Sequence, residues 1–115
     1  MADDPDTGLT LEEEALARIL GETAKIPWAD LQRFFAAGKA VLVAPELDLV
    51  DVAYQMSADN GEQVEQWMNR GLVGVVSDAQ AAEWIAANAL MWSVVVKPWI
   101  LVQPVMQPDK TEGIN

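Results

Sequence analysis

The segment Trp92-Ser93-Val94-Val95-Val96-Lys97-Pro98-Trp99-Ile100-Leu101-Val102-Gln103 constrains this chain more than any other feature. β-branched and aromatic residues dominate it, so it reads as strand. Run straight at about 3.3 Å per residue it spans roughly 40 Å. A compact domain of this length is only about 34 Å across. The segment therefore bends, and Lys97-Pro98 is the place, because proline has no N–H for a ladder and marks a bulge or an edge. Counting by twos puts Trp92, Val94, Val96, Ile100 and Val102 on one face. As the most evenly apolar strand, it is expected at the centre of the sheet.

The rest of the chain alternates helix and strand. Thr10-Leu11-Glu12-Glu13 has the spacing of a capping box, and Leu16, Ile19, Leu20 and Thr23 follow at helical spacing. Pro27 suits the first turn of a second helix, whose buried face is Trp28, Leu31, Phe34 and Phe35 and whose stop is Gly38. Ala40-Val41-Leu42-Val43 is a short buried strand. A third helix buries Leu49, Val52, Ala53 and Met56, Asn60-Gly61 breaks the chain, and a fourth carries Val64, Trp67 and Met68. Leu72 to Val76 is a second strand with a glycine in it, and Ser77-Asp78-Ala79-Gln80 caps a fifth helix that buries Ala81, Trp84 and Ile85. The expectation is an α+β fold in the order α-α-β-α-α-β-α-β. It is a three-stranded sheet covered by about five helices, with no tight hairpin. Residues 9–103 form one domain, between disordered tails at 1–8 and 104–115.

Composition removes whole classes of chemistry. The chain has no Cys and no His, which excludes thiolate and His-activated nucleophiles and the ligands of nearly all zinc sites. No phosphate-binding glycine loop and no nucleophile elbow is present, and nothing marks a carboxylate pair for acid–base work, so the chain reads as non-catalytic. A net charge of −11 argues against nucleic acid, whose phosphates are neutralised by Lys and Arg. Six of the 18 acids fall within Met1–Glu14 against no base, so the remainder carries twelve acids, seven bases and a net −5. That leading run reads either as a solvating tail or as a docking arm for a basic partner. No basic and apolar leader and no membrane-length apolar stretch is seen, so the cytoplasm is the expected location and no membrane is engaged.

Five phrases carry a resemblance: Trp28-x-x-Leu31-Gln32; Ala44-Pro45-Glu46-Leu47-Asp48-Leu49-Val50; Trp67 with Gly71; Asp78-x-Gln80-Ala81 with Trp84; and Val94-Val95-Val96-x-Pro98-Trp99-x-Leu101-Val102-Gln103. From about Glu22 to Gln103 the chain resembles a small bacterial domain-of-unknown-function family, number twenty-two eighty-eight. The resemblance implies a bacterial cytosolic setting. It brings no activity, cofactor or catalytic residue.

Two places remain as candidate binding sites. Trp28, Trp67, Trp84 and Trp92 lie on apolar faces and are expected in the core, whereas Trp99, beside Lys97 and near Gln103, offers a ligand or partner surface. The stripe Asp48, Asp51, Gln55, Asp59 reads as a solvated helix face, with Asp48 as a cap. Its alternative is a small-molecule or divalent-cation site using Asp48 and Asp51, with Glu46 alongside. The leading expectation is an interaction or regulatory module. It binds an unidentified protein partner or self-associates, because a short sheet leaves edges to be covered. No metal or other cofactor is assigned.

Overall fold

The structure, a computed structural model, describes residues 10–105. Helix α1 (Leu11–Glu22) opens on the capping box that its sequence predicts: Glu13 N–H donates to Thr10 Oγ1, and Thr10 N–H donates to the Glu13 carboxylate. Strand β1 (Ala24–Pro27) leads into a 3₁₀ turn, Trp28–Leu31, and the short helix α2 (Gln32–Ala36). Then follow β2 (Ala40–Val43), α3 (Leu49–Ser57), α4 (Gly61–Asn69), β3 (Val73–Val75), α5 (Asp78–Ala87), β4 (Leu90–Val96) and β5 (Trp99–Pro104). The second capping box, Ser77 with Gln80, starts α5.

Four helices stop on left-handed residues, α2 among them at Gly38 (φ 75°). Gly71 (φ 74°) ends α4, and Asp59 (φ 63°) and Asn88 (φ 52°) do the same for α3 and α5. After α3, the Asp59 and Asn60 N–H groups donate to the Met56 and Gln55 carbonyls, the paired bonds of a Schellman stop.

The sheet has five strands, not three, in the order β1-β4-β5-β2-β3. It is mixed: β5 runs parallel to β2 and every other neighbour is antiparallel. The α+β class holds, but the expected strand count fails at two places. First, Ala24–Pro27 is an edge strand on β4. Pro27 closes that strand and is at once the cap of the 3₁₀ turn that leads into α2, a position where a missing N–H costs the ladder nothing. Second, the long apolar segment folds back on itself. Val96 pairs with Trp99 across Lys97-Pro98, so the bend is a complete two-residue hairpin turn, contrary to the expectation of none. The Lys97–Pro98 peptide is cis.

Reversal also changes which residues share a face. With Val96 opposite Trp99, even-numbered residues before the turn align with odd-numbered ones after it. Trp92, Val94 and Val96 stand beside Gln103, Leu101 and Trp99. Ile100 and Val102 lie on the opposite face, where a straight strand would not have placed them. The hairpin still supplies the middle of the sheet through β5.

Each face of the sheet is buried under helices. On one, Val41, Val43, Val94 and Leu101 pack with Ile19 of α1, Leu49, Val52 and Ala53 of α3, and Trp67 of α4. On the other, Ala40, Met91, Ile100 and Val102 pack with Trp28, Leu31 and Ala81. Trp28 is fully buried, edge-on to Trp84 and Phe35 at 5.0 and 5.8 Å between ring centroids. The chain expected to be disordered from residue 104 is ordered through Val105, whose N–H donates to Leu90 O at 3.0 Å. The remainder of that tail, and the acidic segment 1–8, lie outside the described residues.

Candidate functional site

Three of the five residues singled out in the sequence come together on one groove. Helix α1 crosses α3 on the first face of the sheet, and between them lies an open hollow of about 500 Å³ lined by Leu16, Ala17, Leu20, Asp48, Val50 and Asp51. A second hollow of about 230 Å³ shares Leu20, Asp48 and Val50 and runs on to Trp92 and Gln103. The two form one continuous depression from α1 to the end of the central hairpin. Its walls are largely apolar, and its charged members, Asp48 and Asp51, are both acids.

The polar groups here serve the fold. Asp48 is the N-cap of α3, its carboxylate accepting from Val50 N–H at 3.0 Å. Asp51 accepts from Gln55 Nε2 at 3.5 Å, and Gln55 Oε1 accepts from Asn60 Nδ2 at 2.7 Å. Part of the polar stripe is therefore a hydrogen-bonded chain along α3. Gln103 is half-buried and donates from Nε2 to the carbonyls of Ala44 and Leu47, 2.9 Å from each. It pins the β2–α3 loop, and with it the start of α3. Among the described residues no three acids gather into a metal-holding cluster, so the cation reading of Asp48 and Asp51 lacks a third carboxylate.

Sequence patterning places two residues wrongly, Ile85 and Trp92. Ile85, expected on the buried face of α5, is 44% exposed. Trp92 is 37% exposed instead of buried, at the rim of the hollow it shares with Leu20 of α1 and Val50 of α3. Its cross-strand neighbour is Lys25 of β1, whose ammonium lies 5.0 Å from the ring centroid. A period-two count assigns a face but not a cover, and the charged neighbour Lys25 comes opposite only through the pairing of β1 with β4.

Lys97 and Trp99 lie elsewhere. They sit at the turn end of the hairpin, four residue steps from the Trp92–Gln103 pair, or about 13 Å. Lys97 is exposed. Trp99, 36% exposed, lines a separate hollow of about 180 Å³ with Val75, Met68, Met56 and Val64. The five candidates thus divide between two surfaces.

A family model described as "Protein of unknown function (DUF2288)" matches residues 14–104. The chain belongs to this family. The match takes in both surfaces and reaches further toward the N-terminus than the resemblance in sequence alone. The NMR solution structure of PA1075 from Pseudomonas aeruginosa is similar to this DUF2288 chain. It has 36% sequence identity and a TM-score of 0.72, over 92% of this chain and 96% of that one. No curated protein matches the chain. Among the described residues, no helix is long and apolar enough to cross a membrane.

Proposed function

We propose that this protein is a non-catalytic interaction module and that the α1–α3 groove receives a protein partner. One observation carries the reading: Leu20, 63% exposed, and Trp92 border one groove whose polar side chains are already committed to capping α3 and holding its loop. Such a groove offers contact area and not reactive groups. A half-exposed tryptophan flanked by aliphatics is the kind of anchor on which binding energy concentrates. Because the charges lining it are acidic, the partner that fits is an apolar segment flanked by Lys or Arg. The cytoplasm is the setting taken for this reading, where a chain without cysteine loses nothing to a reducing environment.

Native mass spectrometry of the protein isolated gently from cells that make it tests this. The expected result is an additional protein at fixed stoichiometry, lost with Leu20→Glu and kept with Ile85→Glu, an exposed site on α5. A bare chain in every case, or saturable turnover on a substrate panel, contradicts it.

A further inference from the structure

The two edges of the sheet are unlike. β1 is guarded by Lys25 and Pro27, a charge and a residue that cannot donate, which are the usual means of stopping an edge from pairing. β3 is Val73-Gly74-Val75, with neither. Its outward hydrogen-bonding groups can be assigned. Val76 N–H donates to Ala40 O at 3.1 Å, Ala44 N–H donates to Leu72 O at 2.8 Å, and Gly74 stands opposite Leu42. Alternate residues of an antiparallel ladder bond to the same side, so residues 72, 74 and 76 face β2. Val73 and Val75 therefore turn their N–H and C=O groups to the open edge.

Gly74 has no reason to be glycine within one chain. Its φ is not positive, and a Cβ built on it meets nothing within 4 Å. Glycine inside a strand costs about 0.5–1 kcal/mol relative to alanine, and it often marks a place where another backbone approaches closely.

We propose that β3 is a dimerisation edge, pairing antiparallel with β3 of a second copy about a two-fold axis at Gly74. Val73 of each copy then faces Val75 of the other, and their outward groups form four hydrogen bonds. Gly74 meets Gly74 at the non-hydrogen-bonded position, where Cα atoms come closest, near 4.5 Å. The symmetry is that of an isologous contact, in which one patch serves both copies. Charge agrees with a second copy as occupant. Among the described residues no charged side chain lines the hollow beside β3, although the chain carries −11. Antiparallel pairing also sets Arg70, before β3, at the same end as Asp78 of the second copy, after β3; both are exposed. The exposed side chains of Val75 (59%) and Met68 (53%), with Trp99, supply the apolar contact on that face.

Sedimentation velocity over a concentration series, with Val75→Pro and Val75→Lys, decides the matter. Proline at 75 removes only an outward N–H, so the chain's own ladder stays whole, and lysine replaces a side chain that is already exposed. The wild type is expected to shift with concentration from one chain of 12.6 kDa toward twice that mass. Both variants are expected to stay monomeric with unchanged circular dichroism, and Val95→Lys, an exposed valine within the sheet, is expected to dimerise as wild type. A wild type that stays monomeric throughout overturns the proposal. So does a dimer that survives both Val75 variants.

Discussion

Gln103 and Leu47, 56 residues apart in sequence, are joined by a 2.9 Å hydrogen bond from the Gln103 amide to the Leu47 carbonyl. The same amide nitrogen donates to Ala44 O, so one side chain from the central strand holds both sides of the loop that launches α3. Gln103→Leu leaves two carbonyls without their donor, and each lost bond is worth about 0.5–1.5 kcal/mol. The expected cost is about 1–3 kcal/mol, read as a lower urea midpoint with an unchanged slope. A cost near zero would show that the loop holds its shape without Gln103.

Asp48 is an N-cap, so Asp48→Ala is expected to cost about 1 kcal/mol, while Asp51→Ala, which loses only a long 3.5 Å contact, costs about 0.5 kcal/mol or less. Millimolar Mg²⁺ or Ca²⁺ is expected to leave the melting temperature of wild type and both variants unchanged. A rise in the wild type that vanishes in Asp51→Ala would restore the cation reading.

Gln32 buries its side-chain amide nitrogen without a partner, one helical turn after Trp28, whose indole N–H is in the same condition. An unmet buried donor costs about 1–3 kcal/mol. Gln32→Met keeps the shape and removes the donor, so thermal unfolding is expected to show equal or higher stability. A marked loss would mean that a buried water satisfies the amide.

Tryptophan fluorescence separates two classes of ring. Trp28 and Trp67 are buried and Trp84 partly so, whereas Trp92 and Trp99 are each more than a third exposed. Acrylamide is expected to quench a red-shifted fraction that disappears in the Trp92→Phe, Trp99→Phe double variant. Uniform quenching of the remaining three would contradict the core packing.

How far the sequence carried the fold follows from the range of each interaction. Thr10 with Glu13 and Ser77 with Gln80 act over three residues, so both helix starts were readable; the stop at Gly71 is equally local. β1 was not readable. Its four residues contain Pro27 and Lys25, and only the pairing with Leu90–Ser93 makes them a strand. The hairpin escaped because Lys97-Pro98 lacks the Gly or Asn that normally signals a two-residue turn. The length argument located the bend but not its sharpness, and the error in faces at Ile100 and Val102 followed directly. At the site, the sequence marks Asp48 and Asp51 as a candidate cation or small-molecule face and Gln103 as part of the Trp99 surface. The structure puts all three on one groove, with Asp48 capping α3 and Gln103 pinning its loop. Trp92 reads as core because the period-two pattern within β4 assigns its face but not how deeply the hollow between α1 and α3 opens beside it.

In-cell photocrosslinking from position 20 is the most direct test of the central claim, that the α1–α3 groove is a partner-binding surface. A photoreactive residue in place of Leu20 is expected to give one discrete heavier adduct with a different protein, whose crosslinked peptide is apolar and flanked by Lys or Arg. The same residue at Ile85 is expected to give none. Equal adducts from both positions, or none from position 20, would contradict the account.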